Sequence, residues 1–412
     1  MASKPYEQSY AAPNDGPRPA YDRPETGPGT GPGTGPEVES ETVPRDRPTD
    51  GPADGPIDGP YDLITMGRLG VDLYPLRGGV TLDRVETFGR FLGGSPANVA
   101  VAAARLGRTT ALVSRTGADP FGTYLRRELC GFGVDPRWVT EVPEQSTPLT
   151  FCEIFPPDHF PIHFYRRPKA PDLEIRPHEL DLPALGAARA FWMTGTGLSA
   201  EPSRTATLTA LRSRAERAPA AGEDAFTVFD LDWRPALWDG DTPADQARPL
   251  YREALRYATV AVGNAEECAV ATGEHEPHAA ARALLATGVR LAVVKQGPKG
   301  VLVLAADGTF AEVPPLPVDV VNGLGAGDAF GGALVHGLLA GWDLERTLRY
   351  AGAAGAIVAG RLACSTAMPY DAEIARALAD GTGSIPEPPD PGDPERAPDP
   401  APEITRNPGR PR

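Results

Sequence analysis

Residues 321–339 read VNGLGAGDAFGGALVHGLL. Glycines at 323, 325 and 327 lead to an acid, Asp328, and then to small and apolar residues at helical spacing: Ala329, Phe330, Ala333, Leu334 and Leu338. The pattern predicts a tight turn that feeds a helix. The first N–H groups of a helix have no intrahelical partner, and the positive end of its dipole adds to them, so such a turn attracts anions such as phosphate. A carboxylate in the first turn can take a proton from a hydroxyl. Anion cradle and adjacent base together are what phosphoryl transfer requires. The same letters also fit a helix that an acid caps after a glycine linker, so the neighbouring segments must decide.

The ends of the chain look different from its middle. Residues 1–59 are dominated by Pro, Gly, Thr, Asp and Glu, with the near-repeats GPGTGPGTGP and DGPADGPIDGP, and residues 381–412 are similar in kind. Sequence this poor in apolar surface cannot offset chain entropy and is expected to stay unfolded. Residues 60–380 remain for one α/β domain. The net charge of -15 argues against a nucleic-acid partner. No apolar run is long enough to span a membrane, and the first residues lack the order of a signal peptide, so a soluble cytoplasmic protein is expected. Cys130, Cys152, Cys268 and Cys364 show no metal-ligand spacing and read as reduced core thiols.

From Tyr61 onward, apolar runs alternate with helical patterns. Strands are predicted at 61–67, 71–75, 85–92, 109–115, 190–194, 226–230, 259–262 and 291–295. Helices are predicted at 93–107, with Ser95 as N-cap, and at 119–132, 202–217, 244–257 and 279–287, and from 326, 344 and 371. Continuous apolar strands alternating with helices point to a parallel sheet covered on both faces. Residues 150–155 and 162–166 form a predicted hairpin, which with the strands inside 70–92 makes a small separate sheet. That sheet, about 70–92 and 149–167, reads as a lid.

Polar clusters stand where several strands stop, the place where open parallel sheets bind ligands. Asn264 and Glu267 have the spacing of a capping box, and equally offer an amide oxygen and a carboxylate to a hydrated Mg²⁺. Lys295, Gly297 and Gly300 lie in a cationic glycine-rich turn suited to phosphates or to a plain hairpin. Asp230, Asp232 and Arg234 end another strand with paired acids and a cation, and fit either a polar substrate or an internal ion pair. Arg166, at the end of the lid hairpin, offers a bidentate fork to a carboxylate.

Taken in order, GGSPANVAVAAARLG (93–107), GNAEE (263–267), VKQGPKG (294–300) and GAGDAF (325–330) resemble the ribokinase-like, PfkB-type sugar kinases over residues 61–379. The resemblance implies a three-layer α/β sandwich, with a mostly parallel central sheet and a small β-sheet lid. It implies Asp328 as catalytic base with Gly325, Ala326 and Gly327 as anion hole, and Mg²⁺ organised by Asn264 and Glu267. It further implies sugar hydroxyls held by Asp72, Gly94 and Asn98, and ATP beside Lys295, Gly297, Gly300, Asn322 and Gly327. GRLGVDLYP, PPDHFPIHFYR and DLDWRPALW are most similar to members that phosphorylate the C6 hydroxyl of keto-deoxy sugar acids, which gives Arg166 a carboxylated partner and implies Asp232 and Arg234 as substrate-binding residues. Asn322-Gly323-Leu324 replaces the Asp-Thr-Thr usual in ribokinases. A kinase of 2-keto-3-deoxygluconate or of another sugar is one alternative that the resemblance leaves open, a catalytically silent sugar or nucleotide sensor on the same fold is the other, and the lid offers a surface for a homodimer.

Overall fold

The structure is a computed structural model that describes residues 60–221, 225–238 and 244–386. The expected tails lie outside these residues, apart from 381–386. Among the described residues the first elements are β1 (Leu63–Met66), β2 (Gly70–Pro75), β3 (Phe88–Gly93), α1 (Ser95–Arg105), β4 (Thr110–Gly117), α2 (Pro120–Gly131), β5 (Val134–Val142), β6 (Leu149–Cys152) and β7 (Ile162–Tyr165). There follow α3 (Leu182–Ala187), β8 (Ala190–Thr194), α4 (Ser203–Ala221), β9 (Phe226–Asp230), α5 (Ala244–Leu255), β10 (Val260–Asn264), α6 (Ala265–Thr272), α7 (Pro277–Leu285) and β11 (Leu291–Lys295). The last are β12 (Val301–Ala305), β13 (Phe310–Val313), α8 (Ala326–Leu339), α9 (Leu344–Ala359) and α10 (Asp371–Asp380).

Nine strands form the main sheet in the order β13-β12-β11-β10-β9-β8-β1-β4-β5. Every pairing from β11 through β5 is parallel, and β12 and β13 continue the edge antiparallel. Strand side chains alternate between faces, and both faces are dry: Leu63 joins one core cluster while Ile64 and Met66 join the other, and Leu291 and Val293 oppose Ala292 and Val294 in the same way. The first cluster is closed by α1, α2, α8, α9 and α10, the second by α3 to α7. Each fully buried Leu, Ile or Phe contributes about 1.5–3 kcal/mol of transfer free energy, which explains why apolar residues dominate the interior strands. Helix α8 sits close on α1, since a Cβ at Gly332 would lie 2.5 Å from Ala102 Cβ.

The lid is a second sheet in the order β3-β2-β6-β7, with β2 and β6 parallel and the outer pairs antiparallel. The expected three-layer sandwich with a β-lid is therefore the observed fold.

Three local features differ from expectation. Strand β5 gives no clear signal in the sequence, because VDPRWVTEV carries a proline and three charges. It lies at the sheet edge with a register shift against β4, where Pro and charge are tolerated. Ser95 is not the N-cap of α1: Gly94 takes that position at φ +105°, and its Cβ would fall 2.4 Å from the Arg68 carbonyl oxygen. Residues 381–386 pack rather than starting a tail, with the Gly383 N–H bonded to the Pro317 carbonyl at 2.8 Å and Ile385 buried in the core.

Candidate active site

The parallel strands deliver their last residues to one edge of the sheet. Thr194 pairs with Asp230, and Asn264 with Lys295, in register at the C-terminal ends of β8, β9, β10 and β11. Above that edge lies a cleft of about 250 Å³, bounded by the lid on one side and by the first turn of α8 on the other.

Asp328 is the third residue of α8. The turn before it bends at Gly325, which has a φ of +82°. A Cβ at Gly325 would fall 2.5 Å from Cys364 Sγ, so the turn has no room for a side chain. The carboxylate of Asp328 is gripped from α1: Ser95 Oγ donates to Oδ1 at 2.7 Å and Asn98 Nδ2 donates to Oδ2 at 2.8 Å. Enclosure raises the Asp328 pKa above the ordinary carboxylate range, and these two donors oppose the rise without cancelling it. Asn98 Oδ1 is buried and has no hydrogen-bond partner among the described residues.

Lys295 stands next to the same helix start, its Nζ 3.3 Å from where a Gly327 Cβ would be. Desolvation disfavours its charge, but Asp230, Glu267 and Asp328 outweigh that and hold the ammonium above its usual pKa. Asp230 is pushed well above the usual range by burial, and its Oδ1 has no hydrogen-bond partner among the described residues.

On the lid side, Asp72 of β2 accepts from Tyr74 Oη at 2.9 Å, and burial pushes its pKa up to about 6. Arg68, in the turn between β1 and β2, bonds Asp232 Oδ2 through Nη2 at 2.7 Å, while Arg234 Nε reaches Asp232 Oδ1 at 3.0 Å. Asp232 sits at φ +32° and is 3% exposed. Burial works against its charge, yet the two guanidinium groups prevail and its carboxyl stays below the ordinary range.

Of the residues singled out in the sequence, Asp72, Gly94, Asn98, Arg166, Asp232, Arg234, Glu267, Lys295, Gly325, Gly327 and Asp328 line this one cleft. Others are placed differently. Asn322 is fully buried: its Nδ2 donates to the Leu362 carbonyl at 2.7 Å and its Oδ1 accepts from the Leu324 N–H, so it staples the glycine turn instead of facing a nucleotide. Gly297 and Gly300 form the turn into β12 outside the cleft lining, and a Cβ at Gly300 would fall 2.0 Å from the Val313 carbonyl oxygen. Asn264 and Glu267 do make a reciprocal capping box, at 2.8 and 2.7 Å. Arg166 is already engaged, its Nη2 lying 2.7 and 2.8 Å from the two oxygens of Asp172. Asp230, one of the paired acids at the end of its strand, lines the cleft too, and so do Arg68, Tyr74 and Ser95, although nothing local in the sequence marks these three as ligand-side residues.

A carboxylate at a helix start, in a cleft between the strand ends and a small β-sheet, fits a sugar kinase of ribokinase-like architecture. The chain belongs to the pfkB family of carbohydrate kinases, whose pattern matches residues 62–371. Over 319 residues it is 31% identical to the 5-dehydro-2-deoxygluconokinase of Clostridium tetani, covering 76% of this chain and 91% of that one. The 5-dehydro-2-deoxygluconokinase of Shouchella clausii is 31% identical over 317 residues, covering 76% and 94%. The crystal structure of a fructokinase from Xylella fastidiosa with bound ATP superposes with a TM-score of 0.66 at 28% identity, covering 78% of this chain and 99% of that one. The protein is a carbohydrate kinase that uses ATP and a small sugar, not a silent sensor. Among the described residues no helix is long and apolar enough to cross a membrane.

Proposed function

We propose that this kinase transfers the γ-phosphoryl group of ATP to the C6 hydroxyl of a keto-deoxy sugar acid, with 5-dehydro-2-deoxy-D-gluconate of inositol catabolism as the preferred acceptor. The observation that carries the reading is the position of Asp328 between Ser95 and Asn98, at the start of α8, in the same cleft as Lys295 and Asp72. The names of the two bacterial relatives support the particular acid, and Arg234 gives the cleft a cation for a carboxylate, whereas Arg68 and Arg166 are engaged by Asp232 and Asp172.

Asp72, Gly94 and Asn98 orient the sugar, with Asp72 and Asn98 Oδ1 accepting from its hydroxyls. Asp328 takes the proton of the attacking hydroxyl. The N–H groups of Gly325, Ala326 and Gly327 and the Lys295 ammonium face the charge that gathers on the transferring group. Arg234 commits only Nε to Asp232, which leaves its outer nitrogens to meet an anion. Mg²⁺ fits the carboxylates at the strand ends: Glu267 and the unpartnered Asp230 Oδ1 are hard oxygen donors, and few protein ligands suit an ion that keeps its waters. Beside Asn264 and Glu267 it would neutralise phosphate charge. ATP-dependent chemistry on a catabolic sugar acid is in keeping with a cytoplasmic protein.

A coupled ADP-release assay over a panel of sugars and sugar acids tests the assignment. The expected ranking puts 5-dehydro-2-deoxygluconate first, above 2-keto-3-deoxygluconate and above uncharged sugars. A neutral hexose at the head of the ranking would overturn it.

The Asp72 carboxyl adds a pH dependence. Its pKa of about 6 lies above the ordinary value, so the folded protein holds the extra proton and stability falls as pH rises from about 4 to 6. Ligand binding runs the other way: the ionised form is the better acceptor, so kcat/KM for the sugar is expected to fall as pH drops below about 6. Asp72→Asn should lose this contribution while the fall set by Asp328 remains, and an unchanged profile would remove Asp72 from sugar binding.

We also infer that the lid pairs two copies of the chain, since its edge strand β7 presents Tyr165 at 65% exposure. Light scattering during gel filtration should then give a dimer that Tyr165→Lys weakens, whereas a monomer at micromolar concentration rules the pairing out.

A further inference from the structure

Ser95 occupies the first position of α1, next to a glycine that has taken over the N-cap. Its hydroxyl is thus not needed to finish the helix. The hydroxyl is instead turned to Asp328 Oδ1, and Ser95 and Asn98, three residues apart on one face of α1, bond the two carboxylate oxygens separately. The two partners differ chemically. An amide N–H₂ only donates, whereas a hydroxyl both donates and accepts.

That difference matters once the base has done its work. In the transfer step the acceptor O–H bond breaks, its oxygen forms a bond to the γ-phosphorus, the bond from that phosphorus to the ADP oxygen breaks, and the proton stays on the carboxyl of Asp328. A proton on Oδ2 would face the Asn98 N–H, donor against donor. A proton on Oδ1 meets Ser95 Oγ, which can turn its own hydrogen away and accept.

We propose that Ser95 is a positioning residue for the base, donating to Asp328 Oδ1 while the carboxylate is charged and accepting from the same oxygen once it carries the substrate proton. The inference rests on Asp328 being the base and deepens that reading. Other titratable groups face Asp328 too: Arg68 and Asp72 from the lid side, Asp230, Asp232 and Arg234 from the end of β9, Lys295 from β11, and the Cys364 thiol. Replacing Ser95 leaves all of them in place, so a change in the titration of the base reads the hydroxyl alone.

The test is the pH dependence of the single-turnover rate for wild type, S95A, S95T and D328N. Losing the charge-assisted bond to the carboxylate outweighs losing the weaker neutral bond to the acid, so the acid limb of S95A is expected to move up by about one pH unit, about a tenfold loss of rate on that limb with recovery at higher pH. S95T, which keeps the hydroxyl, should retain the wild-type limb. A wild-type limb in S95A overturns the proposal, and so does an S95T limb displaced as far as that of S95A. Should S95A fail to fold, S95C takes its place: the weakly donating thiol should displace the limb relative to S95T, and coincident limbs overturn the proposal. Activity in D328N would instead defeat the assignment of the base, whereas an inactive D328N with an unshifted S95A defeats only the role of Ser95.

Discussion

Asp328→Asn is expected to lower kcat by at least about 100-fold, the lower end of what a well-placed general base contributes. The change keeps the shape of the side chain and removes only its charge and basicity. Ser95 can go on donating to the remaining carbonyl oxygen, but the new amide N–H₂ would face Asn98 Nδ2, 2.8 Å from the present carboxylate oxygen. Asn98 is therefore expected to flip, which turns its unpartnered Oδ1 away from the cleft and costs the sugar one acceptor. Sugar affinity measured by calorimetry should accordingly weaken by no more than about tenfold, the worth of one hydrogen bond. Retention of more than about a hundredth of the wild-type rate would contradict the general-base role. The raised pKa of Asp328 sets the direction of the wild-type profile: the rate is lost as pH falls through that pKa, because the protonated acid cannot accept the substrate proton.

The elements legible in the sequence are those whose physics is local. The run LITM of β1 and the run LAVVK of β11 are apolar because both faces of a parallel sheet are covered, and the Gly-x-Gly-Asp turn at 325–328 announces a helix start by composition alone. Asn264 and Glu267 are legible as a pair, although spacing does not separate a cap from a metal site, and the structure shows the cap in place. What stays hidden depends on contacts far along the chain. Arg68 and Asp232 are 164 residues apart, and Ser95 and Asp328 are 233 apart. Ser before Pro fits helix capping, and only the backbone at Gly94 shows that the cap is already supplied. Asn322 misleads for the converse reason: an amide beside a glycine turn looks like a ligand until its two bonds to Leu362 and Leu324 account for it. Strand β5 is hidden because an edge strand obeys looser rules than the interior ones.

Arg68→Met is expected to cost about 3 kcal/mol of stability, because it strips one of two guanidinium partners from a carboxylate that stays buried. Asp232 cannot relax easily: it holds a left-handed backbone at φ +32°, and Thr196 Oγ1, 3.4 Å from its Oδ2, is a weak substitute donor. The sign with pH follows from the direction of its pKa. A carboxyl held below the ordinary range contributes stability above its unfolded pKa of about 4 and loses it as pH falls through the folded value. The penalty of Arg68→Met should therefore be full at neutral pH and shrink in acid. Removing the charge of Asp232 as well should relieve it, so the double variant Arg68→Met/Asp232→Asn should resist urea better than Arg68→Met alone, though Arg234 then loses its anchor. An anchor for Arg234 is what the sugar acid needs, so KM should rise in the double variant even where stability recovers. Simple additivity of the two substitutions in denaturant melts would show that Arg68 and Asp232 are not coupled, and the ion pair would then have no part in aiming Arg234 at the cleft.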